Sequence, residues 1–249
     1  MENPKKILLF DVDGTICDSG KQITEEMANS INRLVEQGYE IGIVGGGKFD
    51  KILYQLNNKV FPEHIFSECG SVYHLLYNGV YELVYKNSLR NEPEYEQINK
   101  LVKLALKFIS ETDYLVSGNF IDLRNGLIYI SLVGMVATDE ERANFIQKDN
   151  INQYRTRLLN ILRAEASVLK IDETIDITYG GTVGLAIYPK KWNKIQVLDT
   201  IRNDVYKKIY YFGDKYEKDG NDYELLIHSD VIGICVDNLS DTKNCLDNL

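Results

Sequence analysis

The order of apolar patterns along the chain is the feature that most constrains its fold. Up to about residue 85, short apolar runs alternate with helical patterns, from KILLF through a helix over 23–37 to YEIGIV, a second helix and HIFSE. The alternation returns after residue 189 with a helix over 192–202, the strand KKIYYFGD, a helix over 221–229, the strand VIGICV and a short final helix. This order is typical of a parallel sheet with crossover helices. The apolar face of the first helix is expected to consist of Met27, Ile31, Leu34 and Val35.

The middle third of the chain has a different pattern of predicted helices and strands. It contains one long helical pattern over 95–110, two further helical stretches, and glycine-containing hairpin turns at 125–126 and 180–181; an earlier hairpin turns at 78–79. We therefore expect an α/β fold, with a Rossmann-like core and an inserted α+β cap domain that has its own antiparallel sheet. The predicted division is core 1–85, cap 86–189 and core 190–249.

Composition excludes several classes of protein. With 249 residues, 44% of them hydrophobic, the chain can bury a substantial core, and its net charge of −9 argues against non-specific binding to nucleic acid. Four cysteines form no CxxC pair and three histidines show no zinc spacing, so a reducing cytoplasm fits best. The early acidic residues argue against a signal peptide, and the longest apolar run, 127–137, is about half a membrane span. No membrane association is expected.

The segment LLFDVDGT is the most informative for chemistry. A buried strand delivers Asp11 and Asp13 to its carboxyl end, where ligands bind in open α/β sheets. One carboxylate can act as a nucleophile that accepts a phosphoryl group, and the other as an acid or base. The alternative is an ordinary strand-ending turn, since Asp and Gly are common turn residues.

The segment YYFGDKYEKDGNDYE offers further acidic residues after another strand. Asp214 stands where that strand ends and suits Mg²⁺ as an oxygen ligand, with Asp222 nearby to support it. Lys194, at the start of a predicted helix, is a candidate counter-charge for the transferring phosphoryl oxygens, and the alternative is a solvated surface lysine.

The glycine-rich segment GIVGGGK resembles an incomplete nucleotide-binding P-loop. The hydroxyl residue that such a loop needs after its lysine is replaced by Phe49, and Gly42 falls inside a strand. The loop can still offer the backbone N–H groups of Gly46 and Gly47 to an anion. Lys48 would oppose the dipole of the following helix, so we expect it either to bind phosphate or to point into solvent.

These segments together resemble the haloacid dehalogenase (HAD) superfamily and, within it, the eukaryotic-type phosphomannomutases. The resemblance extends over nearly the full chain and rests on LLFDVDGT, IGIVGGGKFDKI, GNFIDLRNGLIYIS, DEERANF, YGGTVGLAIYPKKWNK, YYFGDKYEKDGNDYE and DTKNC. It implies a Mg²⁺-dependent phosphotransferase whose cap closes over a hexose phosphate, on the route to GDP-mannose, and possible homodimers through the cap. Asp11 would be the phosphorylated nucleophile and Asp13 the acid/base. The Mg²⁺ ligands would be Asp11, the Asp13 backbone carbonyl and Asp214.

The chain departs from this family in the residues that grip the distal phosphate and the sugar. It keeps Arg124 and Arg142, each of which has the alternative of a merely exposed cation, Arg142 because it follows a capping box. Other gripping positions have lost their polar groups: Gly20, Gly47, Met135, Gly184 and Ala186. Gly184 and Ala186 lie opposite the expected buried face of Val183, Leu185 and Ile187, where they can line a pocket without polar groups. Arg155, Arg157 and Arg163 are candidates to replace a lost cation.

Three functions remain open at this point. The first is a phosphomannomutase-like enzyme that interconverts hexose 1-phosphate and 6-phosphate through phospho-Asp11. The second is a sugar-phosphate phosphatase with the same nucleophile. It is favoured by the loss of residues that bind the distal phosphate and the sugar. The third is a non-catalytic sugar-phosphate binder, against which the retained Asp11, Asp13, Lys194 and Asp214 argue.

Overall fold

The structure is a computed structural model that describes residues 5–202, 204–218 and 220–249. The chain forms two compact units. The core unit takes in the chain up to Asn87 and from Trp192 onward, and the inserted unit is Ser88–Lys191. The boundaries expected from the sequence, 85/86 and 189/190, fall two residues before these.

The strands, in chain order, are β1 Lys5–Phe10, β2 Tyr39–Val44, β3 His64–Ser67, β4 Val72–Tyr77, β5 Val80–Lys86, β6 Ile121–Leu123, β7 Ile128–Ser131, β8 Ile175–Gly180, β9 Gly184–Pro189, β10 Tyr206–Gly213 and β11 Ile232–Cys235. The α-helices are α1 Glu25–Glu36, α2 Phe49–Leu56, α3 Tyr95–Ser110, α4 Asp139–Asn152, α5 Tyr154–Val168, α6 Tyr223–Leu226 and α7 Leu239–Asp247. Within the described residues, every helix falls short of the length and apolarity needed to cross a membrane.

The core unit contains a seven-stranded sheet in the order β11-β10-β1-β2-β3-β4-β5. The first five of these strands run parallel, and β4 and β5 add an antiparallel edge. β1 lies in the middle, and its residues from Ile7 to Phe10 are fully buried, because both faces of the sheet are covered. The carboxyl ends of β1, β2 and β10 therefore meet at one edge of the sheet.

Two apolar clusters cover the two faces of this sheet. Leu8 and Phe10 pack in the cluster that contains Ile31 of α1, while Ile7 and Leu9 pack in the other. The alternation follows from the two-residue period of a strand. The predicted parallel α/β core is confirmed, and β1 is anchored from both sides.

The inserted unit contains a four-stranded antiparallel sheet in the order β6-β7-β9-β8. Helix α5 packs against β8 and β9, and α3 packs against α5. The predicted hairpins are confirmed: β6 pairs with β7, β8 pairs with β9, and in the core unit β4 pairs with β5. At the last of these turns, Asn78 and Gly79 both have positive φ, as the type I′ turn requires.

Three details of the predicted helices were wrong. Residues 192–202 form 3-10 turns, Lys190–Trp192 and Lys194–Asp199, where Asn193 accepts a hydrogen bond from the Ile195 N–H (3.0 Å). The helix expected over 221–229 is only α6, of four residues. Val35 is 38% exposed rather than buried, because it lies at the margin of the face formed by the buried residues of α1.

Candidate active site

Asp11 follows β1 directly and lies at the carboxyl edge of the core sheet. Its backbone N–H donates to the carbonyl of Phe212 in β10 (2.9 Å), so the parallel ladder continues through the aspartate. The residue as a whole is 6% exposed. Gly14 then turns the chain away with φ +89°, a conformation that L side chains rarely adopt. The short sequence DVDG thus presents one nearly buried carboxylate at the edge where ligands bind.

Lys194 is fully buried and joins two carboxylates. Its Nζ donates to Asp11 Oδ1 (2.5 Å) and Asp222 Oδ1 (2.6 Å), and to the Tyr211 hydroxyl (3.1 Å). Asn193 caps the 3-10 turn that begins at Lys194. A buried ammonium is costly without such partners, so this lysine is not the solvated surface residue of the alternative interpretation.

The charges of this cluster are unevenly balanced. Burial raises the pKa of Asp11 to about 7, although the neighbouring Lys194 opposes the shift. Burial also acts to raise the pKa of Asp222, but Lys194, Tyr211 and the Lys215 N–H together hold it below its usual value. Lys194 therefore compensates Asp222 well and Asp11 only in part. An additional positive charge beside Asp11 would favour the ionised carboxylate that a nucleophile requires.

Asp214 completes a group of three carboxylates with Asp11 and Asp222. One oxygen from each of the three lies within 4.8 Å of the others. Asp214 Oδ1 is buried without a hydrogen-bond partner, while Oδ2 pairs with Lys215. A Cβ at Gly14 would overlap Asp214, so the glycine permits this approach. An all-oxygen donor set with an unpaired buried oxygen fits a hard divalent cation.

The Asp13 carboxylate lies outside this group and has its own partners. It accepts hydrogen bonds from Lys51 Nζ (2.6 Å), Gln55 Nε2 (2.8 Å) and the Gly20 N–H (2.9 Å). Burial acts to raise the pKa of Asp13, but these hydrogen bonds and the Lys51 charge lower it overall. Sequence analysis missed Lys51 and Gln55. Their i,i+4 spacing on the helix after the glycine loop was the available signal, since it places both on one face of α2.

The glycine loop between β2 and α2 is fixed by backbone hydrogen bonds to the turn after β3. The Cys69 N–H donates to Gly45 O and the Glu68 N–H to Gly47 O, both at 2.9 Å. Lys48 is exposed and occupies the N-cap position of α2, where its side chain makes no capping hydrogen bond. Phosphate binding by Gly46, Gly47 and Lys48 stays a prediction.

Arg124 and Arg142 both lie in the inserted unit and are half-buried. Arg124 Nε donates to Asp122 Oδ2 (2.8 Å), and its guanidinium lies 5.3 Å from the centroid of the Tyr129 ring. The predicted capping box of Thr138 and Glu141 starts α4, and Arg142 donates back to the carbonyls of Ala137 (3.1 Å) and Met135 (3.2 Å). Neither arginine is the merely exposed cation of the alternative interpretation. Their contact with substrate stays a prediction.

The space expected beside Gly184 is filled by Tyr129. Val183, Leu185 and Ile187 are buried as predicted. On the other face, a Cβ at Gly184 would lie 2.6 Å from both Cζ and the hydroxyl oxygen of Tyr129. An aromatic ring of the neighbouring strand therefore covers Gly184 on this face, and contact of the hairpin with substrate stays a prediction. The signal in the sequence was the tyrosine of LIYIS, which β-pairing sets opposite Ala186.

Of the three further arginines, only Arg155 reaches the β8–β9 turn. Its Nη1 donates to Gly181 O (3.4 Å), and its Nε pairs with Asp149 (2.6 Å). Arg163 donates to the backbone carbonyl of Ile177, and Arg157 lies over the Phe108 ring. Arg155 is thus the best placed of the three to add a positive charge near Tyr129.

The parallel core with Asp11 at its edge and a separate inserted unit are the features of a HAD-like fold. Among solved structures, the N-terminally truncated, IMP-bound IMP-nucleotidase of Plasmodium falciparum matches with a TM-score of 0.65 and 16% identity, covering 99% of this chain and 68% of that one. A haloacid dehalogenase-like hydrolase from Bacteroides thetaiotaomicron matches with a TM-score of 0.56 and 16% identity, covering 89% of this chain and 85% of that one. At this identity, both matches show the fold alone.

The sequence comparisons identify the family. The family model for eukaryotic phosphomannomutase matches residues 27–249. A phosphomannomutase of Saccharomyces cerevisiae is 33% identical over 251 residues, which covers 100% of this chain and 95% of that protein. The chain belongs to the eukaryotic phosphomannomutase family.

Proposed function

We propose that this protein is a Mg²⁺-dependent phosphotransferase that interconverts hexose 1-phosphate and hexose 6-phosphate, of the mannose class, through an aspartyl-phosphate on Asp11. The observation that supports it best is the buried Lys194, 2.5 Å from Asp11 Oδ1 and 2.6 Å from Asp222 Oδ1. A buried lysine bridging two carboxylates at the ligand-binding edge suits charge stabilisation during phosphoryl transfer better than it suits folding stability alone.

In the first half-reaction, a carboxylate oxygen of Asp11 attacks one phosphorus of a hexose bisphosphate, and the bond from that phosphorus to the sugar oxygen breaks, which leaves a hexose monophosphate and phospho-Asp11. Asp13 gives the departing sugar oxygen the proton that it took up when a substrate hydroxyl attacked phospho-Asp11. Lys194 stays ionised, because Asp11 and Asp222 together raise its pKa well above the usual value against the effect of burial. Its charge thus offsets the negative charge that develops on the transferring oxygens.

In the second half-reaction, the free hydroxyl of a hexose 1-phosphate attacks phospho-Asp11 and a bisphosphate forms. Asp13, now ionised, takes the proton from that hydroxyl, and the Asp11 carboxylate is released. After this bisphosphate has turned round in the site, it gives its other phosphoryl group to Asp11 and leaves as hexose 6-phosphate. Lys51 and Gln55 hold the Asp13 carboxylate in one orientation. If water replaces the sugar hydroxyl, the same residues produce free phosphate, and the enzyme acts as a phosphatase.

Asp11, Asp214 and the Asp13 backbone carbonyl would hold Mg²⁺, with Asp222 in support. Bound there, the cation supplies positive charge to the phosphoryl oxygens. The unpaired, buried Asp214 Oδ1 and the incomplete compensation of Asp11 support this assignment. In the inserted unit, Arg124 and Arg142 would hold the phosphate that does not react. The cytoplasmic location and the homodimer through the inserted unit stay predictions.

The phosphatase is the second candidate, and a specific observation favours it. Tyr129 packs where the family has polar groups for the sugar, and Met135 replaces an arginine, so the bisphosphorylated intermediate that a mutase must retain would be held more weakly. Loss of one bidentate arginine–phosphate contact costs about 1.5–3 kcal/mol, or roughly ten- to a hundredfold in affinity.

The test is an assay with Mg²⁺ and mannose 1-phosphate, with and without a hexose bisphosphate activator, that follows mannose 6-phosphate and free phosphate together. Isomer formation is the expected result, and phosphate release alone would establish the phosphatase instead. Asp11→Asn is expected to lower either activity by about 10³-fold or more, since the nucleophile is lost. The matched control is Asp247→Asn, an exposed aspartate at the end of α7. Turnover that survived Asp11→Asn would contradict the assignment of the nucleophile.

A further inference from the structure

Tyr129 and two glycines form a tightly fitted group on one face of the inserted sheet. Tyr129 lies in β7, paired with Ala186 of β9. A Cβ at Gly184 would lie 2.6 Å from Tyr129 Cζ and 2.5 Å from Ile130 O, and a Cβ at Gly180 would lie 2.7 Å from Tyr129 Cε2. No side chain fits at either position while the ring stays in place. The aromatic ring therefore lies directly on the backbone of the β8–β9 hairpin.

The Tyr129 hydroxyl lies in a positively charged region. Burial raises the pKa of Tyr129, and the charges of Arg142, Arg124 and Arg155 act against this shift. The three guanidinium groups are therefore close enough to affect the phenol electrostatically. The Arg124 guanidinium also lies against the ring itself, 5.3 Å from its centroid.

The hydroxyl is also available for a ligand. Within the described part of the chain, the Tyr129 oxygen makes no hydrogen bond, while the charges of the three arginines and of Asp122 act on it. A half-buried phenol without a hydrogen bond among cations is suited to donate to an anionic oxygen. The hydroxyl points toward the hairpin turn, since a Cβ at Gly181 would lie 4.0 Å from it.

We propose that Tyr129 determines the size of the substrate: its hydroxyl binds the non-reacting phosphate beside Arg142, and its ring fills the room over Gly184 that a hexose would need. The inference rests on the proposed function, in which the substrate is a phosphorylated sugar. The ring offers no hydrogen bonds to sugar hydroxyls, so a substrate with fewer of them at this position loses less on binding. The site then favours a pentose phosphate over a hexose phosphate.

The kinetic test compares mannose 1-phosphate with ribose 1-phosphate, measuring total turnover of each, in the full chain and its variants. Tyr129→Ala is expected to shift the ratio of kcat/KM toward the hexose by about tenfold, the usual effect of a change in pocket size. Tyr129→Phe keeps the ring, so the ratio of kcat/KM between the two sugars should stay the same. Because the hydroxyl is lost, KM should rise for both sugars. Tyr77→Ala, an exposed tyrosine at the end of β4, is the control. An unchanged ratio in Tyr129→Ala would overturn the inference.

A stability measurement tests the packing independently of any substrate. Gly184→Ser alone should lower the free energy of unfolding in urea, because its side chain meets the Tyr129 ring. In the Tyr129→Ala background, Gly184→Ser should lower the free energy of unfolding by clearly less. The loss that remains comes from the close approach of the new side chain to Ile130 O. Equal costs in both backgrounds would show that Tyr129 does not fill this space, and would overturn the inference.

Calorimetric titration with mannose 6-phosphate and ribose 5-phosphate separates this inference from the proposed function. If no variant turns over any sugar phosphate, yet Tyr129→Ala shifts binding from the pentose toward the hexose phosphate, the proposed function fails and the inference stands. If the wild-type protein turns over sugar phosphates, and Tyr129→Ala changes neither the ratio of kcat/KM nor the ratio of affinities, the inference fails while the proposed function stands. If neither phosphate binds to any variant, the inference is also overturned.

Discussion

The two units place positive charge beside very different partners. In the core unit, Lys194 is enclosed between two carboxylates and is fully buried. In the inserted unit, Arg142 is held by two backbone carbonyls and lies near an aromatic side chain. Carboxylates compensate a cation, whereas carbonyls and a ring position it without neutralising it. Lys194 and its carboxylates are therefore suited to hold charges in fixed positions during a reaction, and the arginines near Tyr129 are suited to attract an anion.

The largest effect on stability is expected from Lys194→Met. The change leaves Asp11 and Asp222 buried without their cation, and breaking a buried pair in this way costs about 3–5 kcal/mol. Urea unfolding at pH 7 measures it. The control is Lys207→Met, an exposed lysine of β10 in the same unit. A loss as small as that of the control would contradict a buried ion cluster.

Arg142→Met tests the other side of the comparison. Because its described contacts are backbone carbonyls, we expect little loss of stability but a rise of roughly ten- to a hundredfold in KM for the sugar phosphate. Measurement of kcat and KM separately checks this, with Arg90→Met, an exposed arginine of the inserted unit, as control. If KM stays constant while the protein unfolds more easily, Arg142 is only a structural residue of the loop before α4.

The smallest effect concerns a charged group outside both clusters. Glu40 lies beside His64, pairs with Lys5 and accepts a hydrogen bond from the Tyr206 hydroxyl, and these three neighbours lower its pKa to about 2. A folded-state pKa below the usual 4.5 stabilises the protein above pH 4.5, and this contribution is lost as pH falls toward 2. Glu40→Gln should thus cost on the order of 1 kcal/mol at pH 7, discounted for partial exposure.

The pH dependence distinguishes this charge effect from simple repacking. The difference in unfolding free energy between the wild-type protein and Glu40→Gln should shrink steadily between pH 5 and pH 3. Glu36→Gln, at the exposed end of α1, should show no such trend. A difference that stays constant with pH would mean that the carboxylate charge contributes nothing.

Much of the fold could be predicted because its signals are local. β2 and α3 have the predicted limits, and the Asn78-Gly79 turn has the predicted form. Apolar periodicity and turn chemistry depend on neighbouring residues only, so a single sequence contains them. The helix expected over 192–202 failed because tertiary contacts of Lys194, rather than local propensity, shape that segment as 3-10 turns.

Part of the candidate site could be predicted from the sequence, but Lys51, Gln55 and the pairings between its side chains could not. The sequence by itself determined that Asp11 follows a buried strand and that Asp214 stands at the end of another, since the apolar pattern marks both strands. Only the tertiary structure decided that Lys194 reaches Asp11 across 183 residues, that Lys51 holds Asp13, and that the Tyr129 ring covers Gly184. The physical reason is that periodicity specifies which way a side chain faces, whereas the neighbour it meets depends on how distant segments pack.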